Sequence, residues 1–155
     1  QSFYGFVFSH LSLLVTAFMA GLTLGGWQMT RRLEKIKNDL LTFSKIELAL
    51  CGFCLAVGPL LLYLNHTPSF NFPFIFFILS AVSGYLVGSE FPLANKIYWQ
   101  DKTYTKTAGI LYALDLMGAW LAALVVSVAL VPVVGVLKTC ILLLALKIIS
   151  LILVI

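Results

Sequence analysis

Residues 72–94 read FPFIFFILSAVSGYLVGSEFPLA, and the only formally charged side chain in that stretch is Glu90. A run of ~20 apolar residues is what a ~30 Å hydrocarbon layer demands of a helix. Four further apolar runs flank it, and together they predict helices over residues 3–29, 45–64, 72–94, 107–131 and 134–155. In lipid every backbone N–H and C=O must be satisfied internally, which leaves only helices and closed barrels. The runs lack the short alternating pattern of barrel strands, so all five are helical. The expectation is an all-α polytopic transmembrane bundle, a single membrane domain over residues 1–155.

Composition agrees. Of the 155 residues, 61% are hydrophobic and 10% charged, against roughly 45–50% and about 25% in a soluble globular domain. The mean hydropathy is +1.05. A chain this short cannot hide so much apolar surface in a water-soluble core. The net charge of +4 comes from ten Lys and Arg against six Asp and Glu. The basic residues gather between apolar runs, which suits an anionic membrane surface and argues against nucleic acid as a partner. Cys51, Cys54 and Cys140 all lie in apolar runs and imply no secreted disulfide framework. The Gln1 end does not look like a signal peptide, since it has no charged n-region or cleavage site, and the sequence stops at Ile155 inside an apolar run; the expectation is an excerpt of a longer protein.

The connections alternate in charge. The first holds Arg31, Arg32, Glu34, Lys35 and Lys37; the second, Asn65 to Asn71, holds no Lys or Arg; the third holds Lys96, Lys102 and Lys106. The positive-inside rule places the first and third in the cytoplasm, residue 1 outside and residue 155 heading inward. Lys138, beyond a tight turn expected at Pro132–Gly135, dissents. Leu33, Ile36 and Leu40 among the charges of residues 31–41 suit a short interfacial helix. Tyr98, Trp99 and Tyr104 suit an aromatic belt.

Small residues mark the expected packing faces. Gly21-x-x-x-Gly25 on the first helix and Gly84-x-x-x-Gly88 on the third are ridges that let backbones approach, and Gly118 heads a small face with Ala119, Ala122 and Ala123 on the fourth. Packing within the chain is the simpler reading of these ridges, and a dimer seam is the other. Pro59 and Pro92 mark kinks or helix ends.

The charges inside the apolar runs carry the functional question. Glu90, Asp115 and Lys147 each cost roughly 2.5–3.5 kcal/mol to insert near a helix centre. Counting ~1.5 Å per residue from the helix ends puts all three in the cytoplasmic half. Lys147 is expected to pair with Asp115, Glu90 or both. Such a cluster, grouped with Tyr112, is either a satisfied pair that fixes helix register or a site for a proton, an ion or a polar ligand. No metal or cofactor is implied. His10 is the only intramembrane histidine, against the two axial ligands of a haem held in the bilayer. Two thiols on one helical face, Cys51 and Cys54, fall short of a metal site. No dinucleotide fingerprint, Walker motif or catalytic triad is present.

Three stretches resemble a known family. Ala17-Phe18-Met19-Ala20-Gly21-Leu22-Thr23-Leu24-Gly25-Gly26 is similar to a helix of the membrane domain of spermidine-synthase-like proteins. Gly88-Ser89-Glu90-Phe91-Pro92-Leu93-Ala94 resembles their Gly-x-Glu-Phe-Pro-Leu-Ala signature. The segment from Gly109 through Tyr112 and Asp115 to Ala119 resembles their Gly-x-Leu-Tyr-Ala-x-Asp-Leu-x-Gly-Ala signature. Order and spacing match across most of the chain, although Lys147 falls where a neutral polar residue is expected. The resemblance implies a bacterial inner-membrane protein in which a helical domain precedes a cytoplasmic aminopropyltransferase-like domain. That domain takes an aminopropyl group from decarboxylated S-adenosylmethionine, and its nucleotide loop and catalytic acids are absent from this chain.

Three functions stay open on the sequence. The first is a non-catalytic membrane anchor of such a protein, with Glu90 and Asp115 attracting a polyamine or a small solute. The second is a subunit of a larger membrane complex, respiratory for instance, binding quinone, lipid or partner helices, or pairing with a second copy of itself. The third is an independent transporter.

Overall fold

The computed structural model describes residues 5–66, 72–99 and 104–154. Its elements are α1 (Gly5–Arg32), α2 (Asp39–His66), α3 (Phe72–Trp99), α4 (Tyr104–Val125) and α5 (Val136–Val154). A 3-10 turn, Leu33–Lys35, follows α1, and a π-helical stretch, Val126–Val134, continues α4. All regular structure among the described residues is helical. Four stretches are long and apolar enough to cross a membrane: Phe8–Lys35, Asp39–Leu60, Phe74–Tyr98 and Ala108–Val134. By that composition the chain is a multi-pass membrane protein.

The helices outrun the apolar runs that announce them. α1, α2 and α3 have 28 residues each, or ~42 Å at 1.5 Å per residue, against a hydrocarbon layer of ~30 Å. α2 begins at Asp39 and α3 ends at Trp99, so their polar ends extend the helix past the apolar boundary. Residues 31–41 do not form a separate interfacial helix. α1 runs on through Arg31 and Arg32, one 3-10 turn follows, and α2 starts at Asp39. Arg31 lies over the Trp27 ring, 3.8 Å from its centroid, a cation–π contact at the basic end of α1. Tyr98 is exposed near the end of α3, whereas the side chains of Trp99 and Tyr104 fall outside the described set.

The turn expected at Pro132–Gly135 is also replaced. The helix continues as a π-helix to Val134 and breaks only at Gly135. Pro132 has no N–H to give the ladder, and widening the helix accommodates the missing bond. Gly135 adopts φ 87°, ψ 160°, a region essentially confined to glycine. Its N–H donates to Val131 O at 3.2 Å, and Thr139 donates back to Gly135 O from both its N–H (3.1 Å) and its hydroxyl (2.8 Å). Pro59 and Pro92, by contrast, sit inside α2 and α3, which continue through them.

The chain divides into two compact units. The first is Gln1–Asn38 with Pro59–Leu93, and the second is Asp39–Gly58 with Ala94–Ile155. The first is organised on glycine. A Cβ added at Gly21 would land on the carbonyl of Ala81, and one at Gly25 on that of Tyr85. Reciprocally, a Cβ at Gly84 would strike Phe18 O and one at Gly88 would strike Leu22 O. The partner number rises along α3 as it rises along α1, so the two helices run in the same direction, backbone against backbone. Hydrogen bonds cross the same seam, from Ser80 Oγ to Leu14 O at 2.8 Å and from Tyr85 OH to Gln28 Oε1. Van der Waals contact and hydrogen bonding carry such a seam, since lipid supplies no hydrophobic force between helices.

Candidate functional site

The second unit holds a charged group inside the helices. Glu47 lies on α2, eight residues or ~12 Å beyond Asp39, and only 3% of its surface is exposed. α5 supplies its partners. Lys147 Nζ donates to Glu47 Oε2 at 3.1 Å, and Ser150 Oγ donates to Glu47 Oε1 at 3.2 Å. Lys147 and Ser150 are three apart, so they share a face of α5 and reach the two oxygens of one carboxylate together. Lys147 is seven residues, or ~10 Å, from Val154, which matches the depth of Glu47 from its own helix end.

The packed faces follow from the same residues. On α2 the buried positions are Glu47, Leu50 and Cys51, with Cys54 half-buried after them. On α5 Thr139 is buried and Cys140, Leu144, Lys147 and Ser150 are half-buried, a stripe of helical period.

A second pair sits at the helix ends. Lys96 Nζ meets Asp39 Oδ1 at 2.7 Å. Asp39 is in the first turn of α2 and Lys96 in the last turns of α3, so each complements the dipole of its own helix. The bridge puts the start of α2 and the end of α3 at one level.

The residues singled out from sequence are placed as follows. Lys147 meets Glu47, an acid outside the partners expected for it from sequence, which are Asp115, Glu90 or both. Glu90 is half-buried on α3, in the first unit. Tyr112 and Asp115 are exposed on α4, in the second. Gly118 has open space around it, unlike Gly21, Gly25, Gly84 and Gly88. Glu47 and Ser150 were missed. Glu47 falls two residues inside the start of its apolar run and passes for a boundary charge. The signal that finds it is its helical spacing to Leu50, Cys51 and Cys54 inside a membrane run. Among the described residues no group of three or more His, Cys, Asp or Glu could hold a metal ion.

Comparison with known proteins adds one finding. Over 132 residues the chain is 28% identical to a polyamine aminopropyltransferase of Leptospira interrogans. The two are distantly homologous. The match covers 84% of this chain and 26% of that enzyme, so the chain spans about a quarter of the relative's length. No protein-family model matches the chain, and no solved structure does.

Proposed function

We propose that this chain is the non-catalytic membrane domain of a protein related to polyamine aminopropyltransferases, an anchor that also offers a polar site to a polyamine or a small solute. The observation that carries the reading is the shape of the homology: 84% of the chain aligns with only 26% of an enzyme, and the aligned portion is here a set of apolar helices. All of residues 1–155 act as one membrane domain in this reading, with α5 as a fifth crossing beside the four longer spans. The bacterial relative and the basic first and third connections support the inner membrane, with residue 1 outside and residue 155 toward the cytoplasm.

Glu90, Asp115 and Tyr112 are the residues that would meet a cationic solute, with Lys147 as a competing internal cation. Acids inside membrane helices mark functional sites by default because their insertion is costly. None of the apolar window of the span Ala108–Val134 is buried, and Asp115 is exposed on it. That supports a further helix, from a partner or a second copy, against α4.

Membranes carrying the full-length protein test the solute reading. Radiolabelled spermidine should bind saturably, and Glu90→Gln should abolish binding while leaving membrane insertion intact. An absence of binding at millimolar spermidine would reject the solute site and leave the anchor. Recovery of the full-length protein in the soluble fraction of lysed cells would reject the anchor.

A further inference from the structure

The end of α1 carries the densest charge of the first unit. Arg31, Arg32, Lys35 and Lys37 stand within seven residues, against Glu34 alone. All five are exposed. None of their side chains makes a hydrogen bond or an ion pair among the described residues, so Glu34 neutralises none of the cations. Asp39, the next acid along the chain, is taken by Lys96 at 2.7 Å. Three positive charges are therefore left unbalanced at the end of an apolar span. Trp27 sets their level. It stands one turn before Arg31, is exposed, and lies under the Arg31 guanidinium, 3.8 Å from ring centroid to carbon. Tryptophan collects at the polar boundary of a bilayer, so the stack puts the guanidinium among the lipid headgroups. The ring covers one face of the guanidinium and leaves the N–H donors at its edge without an acceptor among the described residues.

We propose that Trp27, Arg31, Arg32, Lys35 and Lys37 form a binding site for the headgroup phosphate of an anionic phospholipid. Guanidinium N–H groups match phosphate oxygens in pairs. The lysines add charge on stems whose methylenes can rest on the acyl boundary. The unbalanced charge chooses the lipid. A zwitterionic headgroup brings its own cation, which the cluster repels. A phosphatidylglycerol headgroup brings a phosphate and no cation. The exposed Trp27 ring favours a lipid over a free phosphate, because only a lipid has glycerol and acyl groups to lay against it. Each surface cation gives about a five-fold preference for an anionic lipid. The bound lipid holds the end of α1 at the membrane surface.

The test reconstitutes full-length protein in nanodiscs of mixed phosphatidylcholine and phosphatidylglycerol, releases it into detergent and counts the retained lipids by native mass spectrometry. Wild type should keep phosphatidylglycerol in preference. Arg31→Gln with Arg32→Gln should lower that preference about 30-fold, and Lys35→Gln with Lys37→Gln by a similar factor. Lys102→Gln with Lys106→Gln removes the same charge from another connection and should leave it unchanged. Trp27→Leu should weaken the preference about two- to five-fold, whereas Trp27→Phe keeps a ring beneath Arg31 and should retain most of it. Equal retention of the two lipids by wild type overturns the proposal. So does an equal fall in the Lys102 and Lys106 variant, which would show that only net charge matters. Saturable binding of inorganic phosphate in detergent, lost with Arg31→Gln, also overturns it, since the ligand would then be a soluble anion.

Discussion

Replacing Lys147 by Met keeps the volume and removes the ammonium. The carboxylate of Glu47, with 4% of its side chain exposed, is then left with Ser150 as its partner among the described residues. At 3.1 Å and an effective dielectric constant of about 20, the lost attraction is about 5 kcal/mol gross. Part of that is offset, because the ammonium no longer has to be desolvated. Breaking one side of a buried pair costs roughly 3–5 kcal/mol in practice, and Lys147→Met should fall in that range. Removing both charges is different: Glu47→Leu with Lys147→Met should return stability to within ~1 kcal/mol of wild type or exceed it, since apolar replacements of buried pairs are neutral or stabilising. The assay is reversible unfolding in mixed detergent–SDS micelles, run as a double-mutant cycle. Single variants as stable as wild type, or a double variant that is additively worse, would show that the charges do not act on one another.

Glycine substitutions should split by position. Gly25→Leu and Gly84→Leu should disrupt the first unit, because a Cβ at either site meets a carbonyl of the facing helix; the readout is loss of a monodisperse peak on gel filtration. Gly118→Ala has open space around it and should stabilise α4 by about 0.5–1 kcal/mol, the helix preference of Ala over Gly. Gly135→Ala meets nothing either, yet should cost roughly 1–3 kcal/mol, because only glycine tolerates that backbone conformation. Lys96→Ala should cost ~1 kcal/mol or less, as for a partly exposed pair at a helix end, and its effect should shrink in an Asp39→Asn background.

Much of this protein is legible in its sequence. Apolar runs of bilayer length fix that it is all helical and crosses a membrane, because lipid leaves a backbone no other solution. The charges between the runs divide the connections into basic and neutral. Small-residue spacing marks Gly21, Gly25, Gly84 and Gly88 as places where a backbone can approach. The helix ends were less legible, since Asp39 and Trp99 lie past the apolar boundary in helix that hydropathy does not report. Pairing was not legible at all. Depth along a helix can be counted from sequence, and it puts Lys147 near several acids at once. The choice of Glu47 needs the rotation of each helix about its axis and the identity of its neighbour. Those come from how side chains interlock across the α2–α5 seam, over 100 residues of sequence separation. The sequence by itself determined a membrane helix bundle with charges inside it; the tertiary structure alone decided which of those charges meet.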